Sequence, residues 1–129
     1  MADPIGTNEP AQRPLTLEQL AQLQQQFVDA RSWQRFHTPR NLATALIVEA
    51  AELLEHFQWA DRDEPVTAGS ELWLKLCDEV ADVFIYLLSL SDTLGMDLAR
   101  EVERKLHINE ARWPINAADN AEWQERNHP

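Results

Sequence analysis

The sequence has little of what several structural classes require. A single cysteine, Cys77, occurs among 129 residues, so no disulfide can form within the chain, which is typical of a reducing compartment. Only three glycines are present, and no alternating apolar pattern predicts a strand. No segment approaches the roughly 20 apolar residues of a membrane span, and residues 1–14 lack the apolar run of a signal peptide. These absences predict a cytoplasmic protein without a membrane segment.

Positive charge is also scarce. The chain carries 11 Lys and Arg against 22 Asp and Glu, which gives a formal net charge of −11. Such a surface repels a phosphate backbone, so nucleic acid is excluded as a general partner. An anionic small molecule would need a site made locally positive by cations or by a few basic side chains.

Hydrophobic residues make up 44% of the chain and follow helical spacing, which predicts a single helical core. The predicted helices run from Thr16 to about Trp33, from Pro39 to about Trp59, from Ser70 to Leu94, and from Asp97 to about Arg112. The sequence therefore predicts an all-α, four-helix bundle. It forms one domain over residues 15–114, with a disordered lead over residues 1–14 and a loose tail over residues 115–129.

Local signals support the predicted helix ends. Thr16 and Gln19 match a capping box, and Thr38 followed by Pro39 suits the start of the second helix. Gly95 suits the end of the third helix because glycine adopts a positive φ without strain. On the first helix, the spacing predicts one apolar face: Leu20, Leu23, Phe27 and Ala30.

Acidic residues occur where the helical wheel places apolar ones. On the second helix, Glu49 falls on the edge of the apolar stripe, between Leu46 and Leu53, and Glu52 lies one turn further on the same side. Glu55 lies further round, nearer to solvent.

The third helix repeats this arrangement. Glu79 and Asp82 border its apolar face, and Tyr86 continues their row at spacing i, i+3, i+7. The apolar face itself is predicted to consist of Leu72, Leu76, Val80, Val83 and Leu87.

Two carboxylate pairs facing each other at the edge of a core would repel, and a buried carboxylate without a partner is costly. A divalent cation removes both costs. Because no His or Cys is expected beside these acids, the oxygen ligands favour a hard ion, Mg²⁺ or, as a substitute, Mn²⁺. The alternative is a solvated helix face, on which a single Glu-x-x-Glu pair is common. Two pairs that both border an apolar stripe favour the metal site.

The predicted fourth helix carries a basic row. Lys105, Asn109 and Arg112 are spaced i, i+4 and i+7, and Arg can bind a phosphate through two hydrogen bonds. The row could clamp a phosphate from across the bundle. The alternative is that basic residues near a helix C-terminus only favour the helix dipole.

Aromatic side chains are concentrated near the helix ends. Trp33 lies in the connector before the second helix, Trp59 follows that helix, and Tyr86 lies on the acidic row. Such rings can stack on a flat base while offering polar tips, or they can simply pack the end of the bundle. His37, in the same connector, is expected to be a hydrogen-bonding residue rather than a catalyst.

In this order, these residues resemble a known family. Glu49-x-x-Glu52 followed by Glu79-x-x-Asp82 is similar to the signature of the all-α, MazG-like nucleoside triphosphate pyrophosphohydrolases, and most closely to that of their dCTP pyrophosphatase branch. The likeness spans roughly residues 15–114. Further matching stretches are Phe36 to Leu42, Phe57 to Trp59, Asp82 to Leu87 and Lys105 to Pro114.

The resemblance implies Mg²⁺-dependent hydrolysis of a nucleoside triphosphate, dCTP or a modified dCTP, to the monophosphate and pyrophosphate. Such a reaction would clean the nucleotide pool. Members of the family are homodimers or homotetramers, so a site could be completed across subunits. The implied metal ligands are Glu49, Glu52, Glu79 and Asp82. The implied substrate-binding residues are Gln24, Trp33, His37, Trp59, Tyr86, Lys105, Asn109 and Arg112.

One position departs from the pattern of the branch. Close relatives carry a His in the first helix that lines the base pocket, and Gln24 stands there in this chain. A glutamine can also hydrogen-bond a base edge, but with a different geometry. The difference therefore affects the expected preference for cytosine more than the expected hydrolysis of a triphosphate.

The expected mechanism uses one or more Mg²⁺ ions between the acids and the triphosphate, with attack of water on phosphorus, most simply at the α position. Glu52 or Glu55 could take the proton, so the catalytic candidates are Glu49, Glu52 and Glu55. The alternatives are a broad or dUTP-preferring pyrophosphatase, a carboxylate-bridged di-iron bundle, and a non-catalytic acidic helical module that binds nucleotides or a partner. The di-iron bundle is disfavoured because its Glu-x-x-His pairs are missing.

Overall fold

The computed structural model describes residues 14–59 and 65–115 of the chain. Within these residues it contains four α-helices and no strand, so the predicted all-α class is confirmed. The helices are α1 (Leu17–Ala30), α2 (Pro39–Glu55), α3 (Glu71–Thr93) and α4 (Leu98–Arg112), and a short 3-10 turn, Gln34–Phe36, lies between α1 and α2. The chain divides into two compact units, Met1–Leu94 with α1 to α3 and Gly95–Pro129 with α4.

The domain boundaries deduced from the sequence stay a prediction, as does the packing of α4 in a bundle. Most of the predicted N-terminal lead and C-terminal tail lies outside the described residues, and so does the first part, residues 61–64, of the predicted loop over residues 61–69.

All four helix starts follow from their capping residues. Thr16 accepts a hydrogen bond from the backbone N–H of Gln19, and the Gln19 side chain accepts one from the backbone N–H of Thr16, so the predicted capping box is confirmed. The side chains of Thr38, Ser70 and Asp97 cap α2, α3 and α4 in the same way. These side chains satisfy N–H groups that have no partner within the helix.

Two helices end earlier than predicted. α1 ends at Ala30, two residues before Ser32, whose φ of 53° cannot continue a right-handed helix. α2 ends at Glu55 instead of about Trp59. The N–H groups of Phe57 and Gln58 bond to carbonyls only three residues back, at 3.0 and 3.1 Å, so the chain tightens into turns there.

The end of α3 agrees with the sequence. Gly95, one residue after the cap residue Leu94, has a φ of +66°, a conformation that glycine adopts at little cost.

Helices α1, α2 and α3 pack around a small core, with α2 against α3 and α1 against α3. Among the described residues, one apolar side chain from each of these three helices is buried: Val28, Leu42 and Leu88. The contact between α1 and α3 is partly polar, because the Gln24 amide donates to the hydroxyl of the buried Ser89 at 3.3 Å.

The predicted apolar face of α1 is partly wrong. Leu23 and Phe27 are 48% and 42% exposed, whereas the buried side of the helix passes through Gln24 and Val28. The Phe27 ring lies instead against Trp33, edge to face with ring centroids 5.9 Å apart, and the Arg31 guanidinium lies 3.5 Å from its centroid. These contacts give Phe27 partners outside the core.

Much of the apolar surface stays exposed in the single chain. On α2, Ile47 and Leu54 are 67% and 69% exposed and lie on one side of the helix, seven residues apart. Val80 of α3, predicted on the apolar face, is 54% exposed. Among the described helices, none is long and apolar enough to cross a membrane.

Candidate metal centre

Three acidic side chains from two helices converge beside the core. Glu49 of α2 and Glu79 and Asp82 of α3 each place one carboxylate oxygen within 4.8 Å of the other two. Glu49 and Glu79 are half-buried. The α2–α3 contact brings these acids together, and Glu79 takes an inward position next to the exposed Val80.

The electrostatics of the cluster are unfavourable for a chain without a cation. Burial raises the pKa of Glu49 above its ordinary value of 4.5, and the negative charges of Glu52, Asp82 and Glu79 raise this pKa further. Both effects disfavour the ionised form of Glu49, and a bound cation would offset both.

The spacing fits a hard divalent cation. Two oxygens on opposite sides of Mg²⁺, each at about 2.1 Å, are roughly 4.2 Å apart. Adjacent oxygens on the same ion are roughly 3.0 Å apart, so oxygens that lie within 4.8 Å of one another reach either distance by moving less than about 2 Å. All three donors are carboxylate oxygens, the type that Mg²⁺ and Mn²⁺ prefer.

The other two acids proposed from the sequence lie at the margin of this group. Glu52 is exposed and does not belong to the three converging acids, but its negative charge helps to raise the pKa of Glu49. Glu55 is exposed and is the last residue of α2. The assignment of Glu52 as a metal ligand, and of either residue as a proton acceptor, stays a prediction.

A histidine lies beside the cluster, so the expectation of an all-acid environment is wrong. The Nε2 atom of His56 is 3.2 Å from Oε1 of Glu79, and both side chains are mostly buried, at 24% and 18% exposed. His56 follows Glu49 by seven residues and Glu52 by four, a spacing that places it on their side of the helix. This spacing was the sequence signal that could have identified it.

The residues predicted to form the base pocket differ in how far they are exposed to solvent. Tyr86 is half-buried on α3, one turn beyond Asp82, whereas Trp59 is 89% exposed. Trp33 is 44% exposed and packs against Phe27. Their joint role in binding a base stays a prediction.

His37 is half-buried at the end of the 3-10 turn. Its backbone N–H donates to the Gln34 carbonyl at 3.0 Å. The Asn41 side chain ties the same connector to α2 by donating to the carbonyl of Phe36, also at 3.0 Å.

Gln24 is half-buried and its amide is held by Ser89. Because its Nε2 group donates to that hydroxyl, its Oε1 atom remains as an acceptor for another donor. The role of Gln24 in binding a base stays a prediction.

The basic row lies in the second compact unit. Lys105 and Arg112 are exposed on α4 and Asn109 is half-buried. Whether this row reaches the acids stays a prediction.

Comparison with known proteins gives the affiliation of the chain. A model of the MazG-like family matches residues 45–126, which is more than half of the sequence. The chain belongs to the MazG-like family. The matched segment contains all three converging acids and His56.

Several proteins named dCTP pyrophosphatase 1 are similar to this chain over most of its length. The dCTP pyrophosphatase 1 of Rattus norvegicus is 40% identical over 106 residues, which cover 78% of this chain and 61% of the relative. The dCTP pyrophosphatase 1 of Homo sapiens is 40% identical over 108 residues, which cover 80% and 62%. The chain thus spans about three-fifths of the length of these relatives.

A solved structure matches over nearly its whole length. The crystal structure of a pyrophosphatase from Archaeoglobus fulgidus aligns with a TM-score of 0.64 and 34% identity, covering 82% of this chain and 99% of that one. The similarity therefore extends to the arrangement of the helices as well as to the sequence.

Proposed function

We propose that this chain is a divalent-cation-dependent nucleoside triphosphate pyrophosphohydrolase that acts in the cytoplasm. The observation that carries the proposal is the convergence of Glu49, Glu79 and Asp82 within 4.8 Å at the α2–α3 contact. The names of the relatives, dCTP pyrophosphatase 1 and a pyrophosphatase, support the same reaction.

The converging acids would hold the cation, Mg²⁺ with Mn²⁺ as a substitute, and Glu52 would complete the set. The cation would supply positive charge opposite the triphosphate and an acidified water. This answers how a chain with a net charge of −11 binds a polyanion. Glu52 or Glu55, both exposed on the last two turns of α2, would accept the proton of the attacking water.

The remaining polar residues would hold the substrate. Lys105, Asn109 and Arg112 would contact phosphate or sugar. Trp33, His37, Trp59 and Tyr86 would surround the base. The free Oε1 of Gln24 would accept a hydrogen bond from the amino group of cytosine, which uracil lacks.

The preferred substrate in this proposal is dCTP or a modified dCTP, as the names of the relatives suggest. The alternatives are dUTP or a broad range of triphosphates. Hydrolysis would yield the monophosphate and pyrophosphate in equal amounts.

Self-association belongs to the same proposal. Exposed apolar side chains on α2 and α3, among them Ile47, Leu54 and Val80, would be buried in a homodimer or homotetramer. Such an interface would continue the small core of α1, α2 and α3 into the partner subunit.

The test is pyrophosphate release from a panel of deoxynucleoside triphosphates, with Mg²⁺ and with EDTA. We expect release only with Mg²⁺, ranked by kcat/KM with dCTP first. Asp82→Asn should abolish turnover while the helical circular dichroism is retained. Asp92→Asn, which removes an exposed acid from the same helix outside the cluster, is the matched control and should leave turnover unchanged.

The same experiment separates the enzyme from a binding module. A module that only binds nucleotides would be thermally stabilised by a triphosphate without forming product. Near-normal activity of Asp82→Asn with Mg²⁺ would contradict the role of the acidic cluster.

A further inference from the structure

His56 lies at the end of the acidic face of α2, where it meets α3. It is the cap residue directly after α2, and its Nε2 atom is 3.2 Å from Oε1 of Glu79, near the long end of hydrogen-bond distances. The ring is 24% exposed and the Glu79 side chain is 18% exposed, so this contact is largely shielded from water.

An ionised carboxylate can only accept a hydrogen bond, so Nε2 of His56 is the donor in this contact. Glu79 has two carboxylate oxygens. The bond to His56 engages Oε1, and a carboxylate has enough lone pairs to accept this bond and bind a cation at the same time.

The contact also fixes the position of Glu79. A glutamate side chain has three rotatable bonds, and without a partner the repulsion from neighbouring acids favours rotamers that point away from the cluster. Glu49 and His56 are separated by about 10 Å along the helix axis, at 1.5 Å per residue. The Glu79 carboxylate contacts His56 and also lies within 4.8 Å of a Glu49 oxygen, so the hydrogen bond from His56 holds this carboxylate beside the other two acids.

We propose that His56 is a positioning residue that orients Glu79 toward the cation and thereby strengthens cation binding. The inference rests on the proposed function of the acidic cluster. Polar groups that hydrogen-bond a metal ligand typically change metal affinity by roughly 10- to 100-fold when removed. The role of His56 is separate from that of the three acids, because its ring contacts one of the ligands and is not part of the converging group.

The experiment compares His56→Leu, which removes the donor, with His56→Gln, which restores an N–H donor at a similar reach. His107→Leu is the matched control, since it removes another histidine that contacts a glutamate, Glu110 at 3.5 Å, on the exposed surface of α4. Two measurements are made on each purified protein. One is the affinity of the substrate-free protein for Mn²⁺ by calorimetric titration, and the other is the Mg²⁺ concentration that gives half-maximal pyrophosphate release.

We expect His56→Leu to bind Mn²⁺ roughly 10- to 100-fold more weakly and to need correspondingly more Mg²⁺, with kcat recovered at saturating Mg²⁺. His56→Gln should recover most of the affinity, and His107→Leu should match the wild type. A lower melting temperature of His56→Leu with unchanged Mn²⁺ affinity would overturn the proposal, since the contact would then only join two helices. Equal loss in His56→Leu and His56→Gln would also overturn it, because the ring itself would then be a ligand.

The wild-type protein separates this inference from the proposed function. If wild-type protein bound no Mn²⁺ and released no pyrophosphate, the proposed function would fail. If it did both while the His56 variants behaved as wild type, only the role of His56 would fail.

Discussion

Replacing Glu49 by glutamine should stabilise the cation-free protein, although it removes a proposed ligand. Glu49 carries repulsion from Glu79 and Asp82, whose oxygens lie within 4.8 Å, and from Glu52. At that separation, two like charges repel by about 1 kcal/mol in a water-like dielectric, and by more where water is partly excluded. Because Glu49 is only half-buried, we take the lower figure.

Glu79 and Asp82 together therefore give about 1 to 2 kcal/mol of repulsion, which the neutral and similarly shaped glutamine removes. For a chain of this size, roughly 4 °C of melting temperature corresponds to each kcal/mol. Glu49→Gln should thus melt about 4 to 8 °C above the wild type in EDTA at low salt. In about 1 M NaCl, where the Debye length is ~3 Å, the difference should shrink.

The assay is differential scanning calorimetry of both proteins in EDTA and in Mg²⁺. Mg²⁺ should raise the melting temperature of the wild type and leave that of Glu49→Gln nearly unchanged. The difference in melting temperature between the two proteins should therefore become smaller in Mg²⁺ or change sign. The control is Glu103→Gln, which changes the net charge equally at an exposed position of α4. If Glu49→Gln melted at or below the wild type in EDTA while Glu103→Gln did not, the acids would not repel one another and the reasoning would be refuted.

Three further predictions concern the same fold. Because the pKa of Glu49 is raised above 4.5 in the folded chain, the folded protein binds this proton more tightly than the unfolded chain does. Protonated Glu49 therefore contributes stability to the folded chain at low pH, and this contribution is lost as the pH rises through the pKa that Glu49 has in the folded chain. The melting-temperature gap between Glu49→Gln and the wild type in EDTA should therefore widen from about pH 4 to about pH 7, and a constant gap would argue against it. Leu42→Ala, at a position 2% exposed, should lower the free energy of unfolding by about 2 to 5 kcal/mol in urea titrations. A loss well below that range would mean that no packed core surrounds this residue. Ile47→Glu, at a position 67% exposed in the single chain, should shift the protein to a smaller species in sedimentation velocity at micromolar concentration. An unchanged sedimentation coefficient would place any subunit interface elsewhere.

Local chemistry made the helix starts predictable. The side chains of Thr16, Thr38, Ser70 and Asp97 each satisfy N–H groups within a few residues, so their effect needs no knowledge of the tertiary fold. The positive φ of Gly95 after α3 is likewise a local preference.

The sides on which the helices pack were less predictable. The apolar spacing of α1 favoured Leu23 and Phe27, but the partly polar contact of Gln24 with Ser89 marks the side that α3 covers. A hydrogen bond between residues 65 positions apart leaves no periodic signal in the sequence. The exposed Phe27 depends in turn on Trp33 and Arg31, whose positions follow from the turn after α1.

The acidic cluster was predictable because carboxylates on an apolar stripe conflict with burial, and this conflict is visible in the spacing of Glu49, Glu79 and Asp82. The spacing of His56 from Glu49 and Glu52 places it on the acidic side of α2, but its contact with Glu79 is not predictable from the sequence because Glu79 lies on another helix. The early end of α2 was missed because the sequence around Phe57 keeps its helical periodicity while the backbone tightens.

Crystals of the full chain grown with Mn²⁺ and measured at the manganese absorption edge test the central claim most directly. We predict an anomalous peak between α2 and α3, at about 2.1 Å from carboxylate oxygens of Glu49, Glu79 and Asp82. A peak bound elsewhere, or fully ordered acids with no peak between them, would contradict the account.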